Sequence, residues 1–205
     1  MLQHVNDSKD PQQRRATYED LLAVPDHLIA EIIDGVLYVS PHPASPHALC
    51  TSVLGSLLGM PLQIAKSSPD GWWIIDEPEL HLDEDILVPD VAGWRRERMP
   101  EFPNVTFFTW APEWICEVLS ASTVKIDREK KLPIYARQGV KHAWFVDPIA
   151  RSVEIYALEG DTLIVRCTHS GTERIRAVPF EEVEIPLAYL WGATTAPAEQ
   201  PASGT

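Results

Sequence analysis

Cysteine is scarce: three in 205 residues. Cys50, Cys116 and Cys167 are scattered, odd in number and form no CxxC pair. They point to neither a disulfide framework nor a cysteine-ligated zinc site. No apolar run approaches the ~20 residues of a membrane span. Met1 to Arg15 is polar and mixed in charge, without the apolar core of a signal peptide. No internal repeat is visible. A soluble chain in a reducing, cytoplasmic setting, with no membrane partner, is the expectation. Positive charge is also short. Seventeen Lys and Arg face 30 Asp and Glu, giving a net charge of −13. A uniformly basic phosphate-gripping surface is excluded. Contact with nucleic acid has to be local, or carried through metal ions.

What is present is an ordinary globular composition in a length that suits one domain. Residues 1–15 read as a flexible N-terminal arm, 16–191 as a single domain and 192–205, rich in Ala, Thr, Pro, Ser and Gly, as a disordered tail. Thr17 with Asp20 marks a helix start. Leu28 to Ser40 reads as a hairpin turning at Asp34-Gly35. Ser45 is expected to cap a helix opened by Pro46, with Leu49, Val53, Leu57 and Leu58 as its apolar stripe. Trp72 to Asp76, Ile86 to Trp94 and Trp114 to Ser120 read as strands. Thr123 opens a helix to about Gln138, closed by Gly139. Lys141 to Asp147 is a strand, Val153 to Leu158 and Leu163 to Thr168 form a hairpin, and Leu187 to Trp191 a last half-turn. The order predicts a mixed α/β sheet flanked by helices, with an N-terminal helix and hairpin.

Three carboxylates fall on apolar rows. Side chains alternate along a strand. Asp90 shares a row with Ile86, Val88, Ala92 and Trp94. Glu117 sits between Ile115 and Leu119, and Glu31 between Ile29 and Ile33. A buried, unpaired carboxylate costs several kcal/mol or is forced to protonate. A basic partner or a bound cation removes that penalty, and carboxylate oxygens suit magnesium. Buried salt bridges, or half-exposed edge strands, explain the same pattern. Asp127, Lys131 and Tyr135 lie at i, i+4 and i+8 on one helix face. Residues 125–141 hold six Lys and Arg and two acids, a net of +4, whereas 76–90 hold seven acids and no Lys or Arg.

Val88-Pro89-Asp90-Val91, then Glu117 through Thr123, then Asp127 with Lys131, resemble the Uma-two family of restriction-endonuclease-like proteins, within the PD-(D/E)XK nuclease superfamily. The hairpin Glu31 to Gly35, the loop Ser40-Pro41 through Ser45 and His47, Tyr135, Gly139-Val140 and Trp144 to Pro148 extend the likeness over about residues 17–190. The resemblance implies a restriction-endonuclease-like fold. It implies that Asp90 and Glu117 hold magnesium or manganese, and that a lysine positions or activates water. The usual lysine position, two residues after the glutamate, is Leu119 here. The resemblance moves that role to Lys131, and makes Glu31 a further acid near the site. His47 matches a family histidine of unassigned role; a lone histidine near a helix start is commonly a cap or surface group. Pro133, two residues after Lys131, is expected to kink the helix.

The implied activity is a metal-dependent endonuclease acting on nucleic acid, DNA first. The alternative is a catalytically silent binding or scaffold protein on the same fold. A homodimer is a further expectation, with Trp72, Trp73 and Trp110 able either to build its interface or to fill the core.

Overall fold

The computed structural model describes residues 14–65 and 70–194, together with the backbone of Gln3 and His4. The remainder of the expected arm and the tail from 195 lie outside the described residues. Gln3–His4 form a short strand, β1, paired with Tyr38 and Val39.

Helix α1 (Tyr18–Leu22) starts where expected, with the Thr17 amide donating to Asp20 Oδ2 at 2.7 Å. Strands β2 (Leu28–Ile33) and β3 (Val36–Pro41) form the hairpin. Asp34 and Gly35 take φ of 54° and 80°, the left-handed pair that a tight two-residue turn requires. Helix α2 spans Ser45–Gly59 and continues into a π turn, Met60–Ile64. Then follow β4 (Trp72–Asp76), β5 (Leu80–Leu82), β6 (Asp85–Leu87), β7 (Val91–Arg95) and β8 (Trp114–Val118). Next comes a helix in three consecutive pieces: α3 (Val124–Ile126), a π turn (Asp127–Lys131) and α4 (Leu132–Arg137), ended by Gly139 at φ 79°. The chain closes with β9 (His142–Asp147), the hairpin β10 (Ser152–Glu159) and β11 (Thr162–Ser170), β12 (Arg174–Ile175), β13 (Ile185–Pro186) and α5 (Leu187–Leu190).

Two larger sheets result. One runs β1-β3-β2-β6-β5 and the other β11-β10-β9-β8-β7-β4. In the second, β8 and β9 are parallel and the other pairs antiparallel, so it is mixed. The parallel pair is joined by the 124–137 helix, the crossover such a pair needs. Alternation along β8 divides two cores. Trp114, Cys116 and Val118 pack with Cys50, Leu54, Leu58 and Leu62 beneath α2. Ile115 and Leu119 pack with Ile134, Tyr135 and Phe145 under the 124–137 helix. Glu117 lies on that second face, flanked as its row predicts.

Four expectations change. The strand expected over Ile86 to Trp94 is two strands in different sheets, broken at Val88-Pro89-Asp90. Pro89 has no N–H to continue a ladder, so the chain crosses between sheets there. Of the expected stripe on helix α2, Leu58 is fully buried, Val53 and Leu57 pack half-buried against the core and Leu49 is exposed, while His47, Cys50 and Leu54 take the buried face. The helix is apolar on several sides, so composition could not set its rotation. Its N-cap is Ala44, one residue before the expected Ser45. With its π turn, Ser45–Ile64 is 20 residues long and, by length and composition alone, apolar enough to cross a membrane. Scattered Ser, Thr and His had interrupted its apolar run without lowering the average enough. Of the tryptophans, Trp72 lies in the core beneath α2, and Trp73 and Trp110 pack partly buried against the other core.

Candidate active site

The site forms where the two sheets meet the 124–137 helix. Glu31 comes from β2, Asp90 from the crossing between β6 and β7, and Glu117 from β8. Asp127, Lys131 and Tyr135 come from the helix, and His47 from the first turn of α2. All but Tyr135 line one small cavity of about 90 Å³, closed on its rim by Pro41, His42, Ser120, Ser122 and Thr123.

Lys131 is the hub. Its ammonium lies 2.8 Å from Glu117 Oε1, 2.9 Å from Glu31 Oε1 and 3.6 Å from Asp127 Oδ1. Its side chain is only 3% exposed. Pro133 explains how it gets there. Proline removes one helical N–H. The helix responds with a π turn, in which the Leu132 amide donates to the Asp127 carbonyl five residues back. Such turns recur at functional sites. Here the irregularity lies directly under Asp127 and Lys131 and aims both into the cavity.

Each expected acid is held by donors. Glu31 Oε1 accepts the Val88 amide at 2.8 Å, so the hairpin carboxylate also braces the crossing strand. Glu117 Oε1 accepts the Tyr135 hydroxyl at 2.6 Å as well as Lys131. Among the described residues, the other oxygen of Glu31 and of Glu117 takes no hydrogen bond. Asp90 Oδ2 accepts the Val118 amide at 2.6 Å, and Oδ1 sits 3.1 Å from His47 Nε2. His47 is therefore neither cap nor surface group: it is buried against Asp90. Ser120 Oγ lies 2.9 Å from Ser122 Oγ and 3.0 Å from Thr123 Oγ1, a hydroxyl group on the same rim.

Four carboxylates thus share one cavity with one ammonium, a formal surplus of three negative charges before His47 is counted. Burial raises the Glu117 carboxyl well above the ordinary range, and Asp127, Asp90 and Glu31 add to the rise against the pull of Lys131. Burial pushes Asp127 up to about 6. Burial opposes the charge on Lys131, yet Glu117, Glu31, Tyr135 and Asp127 together hold it well above its usual value. Lys131 is charged, and without another cation some of the acids are driven toward protonation.

Hard oxygen donors, a negative surplus and carboxylate oxygens left to the cavity fit a divalent cation such as magnesium. Among the described residues no group of three or more His, Cys, Asp or Glu is placed so as to hold a metal ion between them. Magnesium needs only one or two protein carboxylates beside its waters.

The basic stretch 125–141 does not form a free patch. Arg128 makes a bidentate pair with Glu154, Lys130 contacts Asp34 at 3.1 Å, and Arg137 pairs with Asp85. Gln138 donates to Asp83. Among the described residues, the acidic segment meets the basic helix only at Asp85–Arg137 and Asp83–Gln138, while Arg128 and Lys130 are engaged by carboxylates elsewhere in the chain.

All four expected residues, Glu31, Asp90, Glu117 and Lys131, reach the cavity. Asp127 completes it, and Tyr135, outside the cavity, holds Glu117 from behind. Their spacing on one face was visible, but nothing in the sequence separated a site face from a surface ion pair. Nothing in the sequence signalled the His47–Asp90 contact.

A family model described as "Putative restriction endonuclease", Uma2, matches residues 15–188. Five chains of solved structures match. Among them is the crystal structure of a "putative nuclease belonging to DUF820" from Anabaena variabilis. It is 21% identical, with a TM-score of 0.69, over 86% of this chain and 97% of that one. No curated protein matches. The likeness in structure shows the restriction-endonuclease-like fold, and the family match over most of the length shows that the chain belongs to the Uma2 family.

Proposed function

We propose that the protein is a divalent-metal-dependent nuclease that hydrolyses phosphodiester bonds in nucleic acid, with DNA the first candidate substrate. The observation that carries this reading is the buried charge surplus. Glu31, Glu117 and Asp127 converge on Lys131 at the end of β8, and Asp90 lines the same small cavity. Asp90 and Glu117 are the ligands assigned to magnesium or manganese. A divalent cation held by these two carboxylates would supply Lewis-acid chemistry, acidifying a bound water and offsetting charge on the scissile phosphate. His47 and the Val118 amide fix the Asp90 carboxylate. Tyr135 and Lys131 occupy one oxygen of Glu117 and leave the other to the cavity. The Lys131 ammonium, held by Glu31, orients the attacking water and offsets developing negative charge. The Ser120, Ser122 and Thr123 hydroxyls line the approach.

The test is a cleavage panel of single- and double-stranded DNA and RNA with magnesium or manganese. Cleavage that chelator abolishes, and that Asp90→Ala removes, is expected. No cleavage of any form, together with no metal binding by calorimetry, overturns the reading.

One observation favours a second reading, a binding or scaffold protein. The cations of the 125–141 helix are mostly engaged by carboxylates, leaving little of that stretch for phosphates. Asp90→Ala separates the two: an enzyme loses its activity, whereas a scaffold keeps its partner.

A further inference from the structure

The three cysteines divide sharply. Cys50 and Cys116 are fully buried. Burial pushes the Cys50 thiol up to about 12 and the Cys116 thiol well above its ordinary value, so both are inert. Cys167 is exposed on β11, the edge strand of the mixed sheet, and it is not alone. His169 follows two residues later, so both side chains leave the strand on one face. Cys167 Sγ lies 3.5 Å from His169 Nε2. His169 Nδ1 lies 2.9 Å from Glu173 Oε2. Glu173 is anchored in turn, its Oε1 accepting the Ser170 amide at 3.1 Å.

The tautomer follows from these contacts. Glu173 is ionised, since its hydrogen bonds from His169 and the Ser170 amide hold its carboxyl below the ordinary range. An ionised carboxylate only accepts, so Nδ1 of His169 carries the proton. In the neutral ring Nε2 is then a lone pair, directed at the thiol. Nucleophile, base and orienting acid stand in sequence, the arrangement that activates a weak nucleophile. The strand helps present it. The β10–β11 register shifts between Ile155 and Tyr156, leaving Arg166 as an extra residue just before Cys167. Such bulges re-aim side chains.

We propose that Cys167, with His169 as base and Glu173 as positioning residue, is a site of reversible thiol–disulfide exchange with low-molecular-weight disulfides, separate from the carboxylate site. The Cys167 proton passes to His169 Nε2. The thiolate attacks one sulfur of the disulfide, a new S–S bond forms at Cys167 and the old one breaks. The departing thiolate takes the proton from His169. The balance is one disulfide and one protein thiol giving one mixed disulfide and one small thiol.

The test uses the full chain and dithiobis-nitrobenzoate, a chromogenic disulfide, at neutral pH. One thiol of the native protein reacts quickly, and all three react after denaturation. Cys167→Ser removes the fast phase. His169→Asn slows it about tenfold at unchanged thermal stability. Glu173→Gln slows it less and reshapes its pH profile. Mass spectrometry after glutathione disulfide treatment locates a single adduct at Cys167. A rate unchanged by His169→Asn, or a fast phase that survives Cys167→Ser, overturns the proposal. Should His169→Asn not fold, a wild-type rate that tracks a small free thiol at every pH overturns it equally.

Discussion

The 124–137 helix carries two kinds of charge cluster. Near its start and at its end, Arg128 meets Glu154 and Arg137 meets Asp85, one cation to one or two acids, with both arginines partly exposed. Between them, Lys131 meets three carboxylates directly, and Asp90 lies in the same cavity. The arginine pairs are balanced and wet. The lysine cluster is unbalanced and nearly dry. A balanced pair needs no explanation beyond docking a helix on strands. An excess of buried negative charge is expensive unless something neutralises it. That difference separates structure from site more clearly than residue type does, since all three clusters join the same helix to the same kinds of strand.

The comparison breaks most readily at Lys131. Lys131→Met strands several buried carboxylates without their cation, so a loss of about 3–5 kcal/mol is expected in denaturant titrations, together with loss of cleavage. Glu117→Gln removes one surplus charge while keeping the shape. Cleavage falls by at least ~10²-fold, yet metal-free stability holds or rises, because the carboxyl was already driven toward protonation. A drop in stability like that of Lys131→Met contradicts the surplus. Tyr135→Phe takes a hydroxyl from a buried carboxylate and costs about 1.5–3 kcal/mol. Arg128→Met, in a partly exposed pair, changes stability by no more than about 1 kcal/mol and leaves metal binding intact.

Acidity sharpens the same contrast. Asp127 has its folded pKa raised to about 6 by burial. Between the unfolded value, ~3.9, and that folded value, the folded state binds more protons than the unfolded. This contribution therefore makes metal-free stability fall as pH rises through the window, and level off above it. Melting temperatures followed from pH 5 to 7.5 show the fall, and the rise on adding magnesium is larger at the upper end.

Alternation made Glu31 and Glu117 legible, since period-two rows along real strands put each between apolar neighbours. Asp90 was found for a partly mistaken reason. The strand it was placed on would run through Pro89, and its true setting is a crossing between sheets. Lys131 rested on resemblance, and Pro133 cast its aim into question until the π turn resolved it. Long-range pairing stayed hidden. That His47 meets Asp90 depends on how α2 rotates over the sheet, and a helix apolar on several sides does not declare its rotation. The charged stretches read from composition as a basic grip and an acidic excess. Sequence separation of about 50 residues concealed that Asp85 and Arg137 bind each other.

Calorimetric titration of manganese into the wild type, Asp90→Asn and Arg128→Met tests the central claim most directly. Binding by the wild type and by Arg128→Met, and its loss in Asp90→Asn, are expected. Equal binding by all three, or none by the wild type, contradicts the claim.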